Sequence, residues 1–255
     1  MKAVHPSLLF RCFLRTYMVN AAYNPRGLQN IGFMYAIGPA LEALYGPGER
    51  LAEARMRYAP HQNCHPFLTP LFLGIMLRLE TAIADHTLQP GVVESVKDTT
   101  GNALSAIGDS FFTGTLLATW ALSCSCLILA GFSRAALALT VCSFILLQLF
   151  KFVSFILGFR KGMAALFFLR RLDLINWGDR FKCMNAGLLG LFLWLALPGA
   201  AVVVWGGVAL YLLFMGWVVG KRHAPRVVVA LLLLAVTVAL HMSGWFDTIP
   251  ALVGW

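Results

Sequence analysis

The sequence predicts an all-α integral membrane protein: an N-terminal amphipathic and re-entrant helical half, followed by about five transmembrane helices. Three observations lead there. The 255 residues are 59% hydrophobic and only 12% charged, too apolar for a soluble domain of this size. Uncharged runs long enough to cross a bilayer recur after residue 110, the first unbroken from Ser110 to Ser133. Charge is also divided unevenly. Residues 1–110 carry nine Lys or Arg against eight Asp or Glu, whereas 111–255 carry eleven against three. The division sets two regions: 1–110, cytoplasmic or interfacial with a re-entrant segment, and 111–255, transmembrane.

Composition also sets aside some functions. The net charge of +9 sits mostly in short loops between apolar runs, where Lys and Arg orient a membrane chain, so no nucleic-acid partner is expected. The six cysteines, at 12, 64, 124, 126, 142 and 183, lack zinc-ribbon spacing and read as reduced apolar residues. No metal and no cofactor is expected. Arg11 and Arg15 interrupt the first 22 residues, which therefore lack the apolar core of a cleavable signal peptide.

Taken in order, Pro6 opens a short helix to about Val19, with Arg11 and Arg15 on one face and Leu9, Phe10, Phe13, Leu14 and Tyr17 on the other. Such a helix lies on a membrane surface, rests on a partner, or packs on the core. Tyr23-Asn24-Pro25 makes a turn, and a helix beginning near Pro25 runs on toward Tyr45. Within it, Gln29 and Asn30 are adjacent amides in an apolar stretch. They suit the hydroxyls of a neutral polar ligand, or neighbouring backbone. After the Gly46-Pro47-Gly48 break, residues 49–59 read as an exposed helix with a weak Glu53–Arg57 pair. Asn63-Cys64-His65-Pro66 leads into an apolar stretch, Phe67 to Leu79, too short to span and suited to a re-entrant segment. His65 is expected to hydrogen-bond at its start; His61 alone makes a poor metal partner for it.

Residues 101–116 form the hinge of the chain. Asp109 stands directly before the first long uncharged run, where a carboxylate is either a helix cap or a functional group. Five spans follow: about Phe111–Phe132, about Ala135–Leu157, two short helices split from Ala186–Gly220 at Pro198-Gly199, and about Val227–Trp245. The basic segments 160–182 and 221–226 belong on the cytoplasmic side, which leaves the C-terminus outside. Trp205, Trp217, Trp245 and Trp255 fit interfacial positions. Lys151, inside the second span, either snorkels to the surface or neutralises Asp109.

Four motifs occur in one order: Asn24 with Leu28-Gln-Asn-Ile-Gly-Phe33, Asn63-Cys-His-Pro66, Ile107-Gly-Asp109 with Gly114-Thr-Leu116, and Gly158-Phe-Arg-Lys-Gly162. Together, and over nearly the whole chain, they resemble the IID membrane component of the mannose/fructose/sorbose family of bacterial sugar phosphotransferase systems. The chain departs from that family at Asn102-Ala103, Leu117-Ala118, Gln148 and Lys151, and in the shortness of its Pro198-Gly199 turn.

The resemblance implies a permease subunit of the inner membrane. It pairs with a IIC membrane subunit, in a higher oligomer of such pairs, to carry a hexose-type sugar that is phosphorylated by IIB, which IIA and the general phosphocarrier recharge. No residue of this chain is then expected to be phosphorylated. Gln29, Asn30, Asn63, His65, Ser105 and Asp109 are the residues expected to hydrogen-bond the sugar. Two rivals predict different behaviour: a scaffold or sensor that assembles without transport, and a self-sufficient enzyme using His65 and Asp109 as an acid–base pair.

Overall fold

The computed structural model describes residues 4–196 and Phe214, and the chain divides into two compact units, Met1–Leu189 and Gly190–Trp255. Among the described residues every regular element is helical, with two isolated β-bridges and no strand. The expected turn at Pro198-Gly199, the last spans and the four interfacial tryptophans from Trp205 onward lie outside the described residues.

The first helix, α1 (Pro6–Arg15), starts where Pro6 presets a helical φ, and continues as a 3₁₀ segment, Thr16–Ala22. Its inner face buries Cys12 and Phe13, with Phe13 packed on Phe152 and Phe155. The core-packing alternative therefore holds for that face, while Phe10, Leu14, Tyr17 and Met18 stay exposed on the other. The next helix, α2 (Asn30–Tyr45), begins five residues later than Pro25 suggests. The Asn24 side chain accepts from the backbone N–H groups of Arg26 and Gly27, and Leu28 adopts φ 53°, so residues 24–28 close a tight turn instead.

α3 (Glu49–Met56) is exposed as expected, but its expected Glu53–Arg57 pair is not made. Arg57 turns inward to Glu80, at 3.1 Å from Nε to Oε1 and 2.6 Å from Nη2 to Oε2. The hydroxyls of Tyr45 (2.6 Å) and Tyr58 (2.9 Å) donate to the same carboxylate, and Lys97 Nζ donates to the Arg57 carbonyl at 3.2 Å. A carboxylate with no exposure needs such a set, because an isolated charge there is strongly disfavoured. That set lets α4 (Thr69–Ala84) run five residues past Leu79 and still bury most of its length.

α4 is the centre of the unit. It packs along α7 (Ser133–Lys161), with α2 and α5 (Gly91–Gly108) also against it. Two glycines set the closeness: a Cβ on Gly74 would strike the Phe155 carbonyl, and one on Gly158 the Leu71 carbonyl. Small residues admitting backbone to backbone are the usual device for packing helices in lipid.

α5 does not stop at residue 108. It passes through a π-helical stretch, Asp109–Leu116, into α6 (Leu117–Leu129), so the boundary between polar and apolar sequence falls inside a continuous rod. Among the described residues, Gly91–Leu129 and Ser133–Ala196 are the two stretches long and apolar enough to cross a membrane. The second holds α7, a short turn, α8 (Ala165–Arg171) and α9 (Leu174–Ala196).

Candidate functional site

The loop Gln62–Pro66 lies where α4 starts and the π-helical stretch passes. A Cβ on Gly108 would collide with the His65 ring, so only glycine lets the rod approach this closely. The His65 carbonyl accepts from the Leu68 and Thr69 N–H groups and from the Thr69 hydroxyl, which fixes the first turn of α4. Nδ1 accepts from the Phe67 N–H at 3.2 Å, and Nε2 lies 3.0 Å from Thr113 Oγ1. That pattern assigns the neutral tautomer with its proton on Nε2, donating to Thr113. Burial lowers the imidazole below its ordinary pKa, with Asp109 opposing, which favours the same neutral form. The ring stacks on Phe112 at 5.4 Å and 16°.

Beside it runs a second set. Asn63 Nδ2 donates to Ser105 Oγ at 3.1 Å, and Ser105 Oγ lies 3.4 Å from Asp109 Oδ2. Asn63, His65, Ser105 and Asp109 are thus brought together, with Thr113 as a fifth member. Asp109 does not cap the start of a span and is not buried; it is exposed within the continuous rod. Asn63 Oδ1 and Asp109 Oδ1 accept no hydrogen bond from the described residues, so unused acceptors face outward.

Gln29 and Asn30 are placed differently. Gln29 Oε1 accepts from the Cys64 N–H, and its Nε2 donates to the Cys64 carbonyl and to Asn20 Oδ1, each at 2.8 Å. Asn30 Oδ1 accepts from Asn24 Nδ2 and the Ile31 N–H, while its Nδ2 donates to the Ala59 carbonyl at 2.6 Å. Both amides are committed to tying residues 24–30 to 59–64, the alternative of backbone satisfaction.

Thr113 escapes the sequence because its partner is 48 residues away. The signal that could have found it is the four-residue spacing from Asp109, next to Gly114. The widened turn is held further along by Asn185 of α9, whose Nδ2 donates to the Thr115 carbonyl at 3.1 Å while its Oδ1 accepts from the Thr119 hydroxyl at 2.7 Å. Lys151 makes no ion pair with Asp109, and its ammonium lies against aromatic rings. It is 7% exposed, with its ammonium 3.7 Å from the Tyr17 ring centre. Among the described residues no three His, Cys, Asp or Glu side chains converge as metal ligands.

The fold is similar to that of two solved chains. One, described as a membrane protein, superposes with a TM-score of 0.69 at 17% identity, covering 96% of this chain and 98% of the other. The second comes from a structure of the mannose transporter ManYZ in complex with microcin E492, with a TM-score of 0.53 at 19% identity, covering 97% and 98%. By sequence, the chain is 29% identical over 204 residues to a fructose permease IID component of Bacillus subtilis (strain 168), covering 77% of this chain and 69% of the other. It is 26% identical over 223 residues to a mannose-specific EIID component of Escherichia coli (strain K12), covering 84% and 74%. Residues 3–204 match the family described as PTS system mannose/fructose/sorbose family IID component. With its ordered motifs carried on an all-helical membrane fold, this chain belongs to that family.

Proposed function

We propose that the chain pairs with a IIC membrane subunit and that the two together carry a hexose-type sugar across the inner membrane, where a cytoplasmic IIB component phosphorylates it. The observation that supports this best is the polar group Asn63, His65, Ser105, Asp109 and Thr113, open on one side at the edge of an apolar rod. A sugar presents several hydroxyl donors. The unused Asn63 and Asp109 acceptors, together with the Thr113 hydroxyl, suit those donors once a partner covers the surface and excludes water.

Gln29 and Asn30 act at one remove in this scheme, holding the Asn63–His65 loop in register. The basic segments 160–182 and 221–226 lie on the cytoplasmic side, residues 1–110 belong to that side or to the interface, and the C-terminus is outside. The names of the relatives, fructose permease and mannose-specific component, support a hexose as the cargo.

The test is uptake of radiolabelled mannose, fructose, sorbose and N-acetylhexosamines by cells expressing the chain with its IIC subunit and the soluble components. Transport that needs both membrane chains and yields sugar phosphate supports the proposal. Stable assembly without flux of any sugar favours a scaffold or sensor instead, and activity of the chain alone favours an enzyme.

A further inference from the structure

Lys151 carries a charge that the described residues leave unmatched. It sits nine residues before Arg160 in α7, about 14 Å along the helix from that basic end. Its side chain is buried, and among the described residues its ammonium makes no hydrogen bond and no ion pair. What it does meet is aromatic: the Tyr17 ring at 3.7 Å and the Phe67 ring at 5.9 Å. The Tyr17 hydroxyl donates to Gln148 Oε1 at 2.6 Å, which leaves the amide N–H groups of Gln148, one turn from Lys151, without an acceptor among the described residues.

The place therefore offers donors and positive charge, and among the described residues lacks an acceptor. Around it the outer surfaces of α1, the 3₁₀ segment that follows it and α7 expose Leu14, Met18, Leu149 and Phe152. A cation at this depth is costly unless an anion meets it, and its aromatic contacts compensate in part.

Resting on the pairing with IIC proposed above, we propose that the surface of α1 and mid-α7 receives a membrane helix of the partner subunit, which places an Asp or Glu carboxylate on Lys151 and the Gln148 amide. Charge complementarity selects the acidic side chain, and the exposed apolar rim seats its helix. Depth along α7 favours a side chain over a lipid phosphate, which stays near the interface.

The experiment co-expresses the full chain with its IIC subunit and measures how much IIC is recovered on the tagged chain in mild detergent. Lys151→Arg is expected to hold recovery near the unmodified level, and Lys151→Met and Lys151→Glu to lower it about tenfold or more at equal chain abundance. A second measurement keeps Lys151 intact. Phe152→Cys, in a Cys142→Ser, Cys183→Ser background, should react with a membrane-permeant maleimide without IIC and be protected with it. Equal recovery for Lys151→Glu, or equal labelling of Phe152→Cys with and without IIC, overturns the proposal. So does loss of bound phospholipid with IIC retained, or a raised KM for sugar with assembly unchanged. Failure of the unmodified chain to recover any IIC overturns the pairing itself, and this proposal with it.

Discussion

Glu80 and Glu42 both pair with arginines of the α3 region, and the structure assigns them very different weights. Glu42 meets Arg55 at 2.7 Å across an open surface, with side chains 58% and 46% exposed. A pair of that kind contributes under about 1 kcal/mol. Glu80 is fully buried and accepts from Arg57 twice and from two tyrosine hydroxyls. Glu80→Ala strands the Arg57 guanidinium, itself 7% exposed, and leaves both hydroxyls without that acceptor. Breaking a buried pair from one side costs about 3–5 kcal/mol. At roughly 2–4 °C per kcal/mol for a chain of this size, the melting temperature should fall by about 6–20 °C. Glu42→Ala should move it by no more than about 4 °C on the same scale. The assay is the temperature at which half the purified, detergent-solubilised protein loses its monodisperse elution peak. Equal, small shifts for the two variants would refute the assignment of Glu80 as the buried anchor of α3, α4 and α5.

Gly158→Leu should abolish recovery of folded protein, because its side chain would enter the α4 backbone, whereas Gly178→Ala meets open space and should match the unmodified yield on size exclusion. Burial and the Glu80 carboxylate raise Tyr58 well above the ordinary tyrosine range, and burial followed by Glu80 raises Tyr45. Raised folded pKa values mean that this stabilisation is complete below about pH 10 and is lost as pH climbs through the folded values. In a titration of phenolate absorbance, at least two of the six tyrosines should therefore stay un-ionised at about pH 11 until the protein unfolds. Thr113→Val removes the partner of His65 Nε2 and should raise KM for sugar uptake severalfold, about the effect of one hydrogen bond, with assembly retained.

The sequence carried the class of fold because bilayer-length runs and the sign of loop charge are local properties. Asn63, His65 and Asp109 are legible as parts of motifs and Ser105 as a polar residue of the hinge, since polar groups beside an apolar run stand out, and the structure brings all four together. What stayed hidden was pairing at a distance. Arg57 looked like a surface arginine because Glu80, 23 residues on, gives no local sign of burial. The same concealed pair made α4 look shorter than it is. Whether Gln29 and Asn30 serve a ligand or backbone stays open in the sequence, because the backbone carbonyls they reach are 29 to 35 residues away and side-chain patterns do not reveal them. For Asp109 the sequence leaves a helix cap and a functional group both open, because Gly108 and Gly114 suit either a break or a close approach of backbones. A π-helical turn keeps the rod continuous instead, with Gly108 serving the approach of His65.

On the proposed function, the polar group around Asp109 is where this chain meets its sugar. Equilibrium binding of radiolabelled sugar to the purified complex with IIC tests it most directly, comparing the unmodified chain with Asp109→Asn and Asn63→Ala. Loss of one or two hydrogen bonds, one of them to a charged acceptor, predicts affinity lower by about 10- to 100-fold in intact complexes. Unchanged affinity in both variants, with assembly intact, would place the sugar elsewhere on the complex.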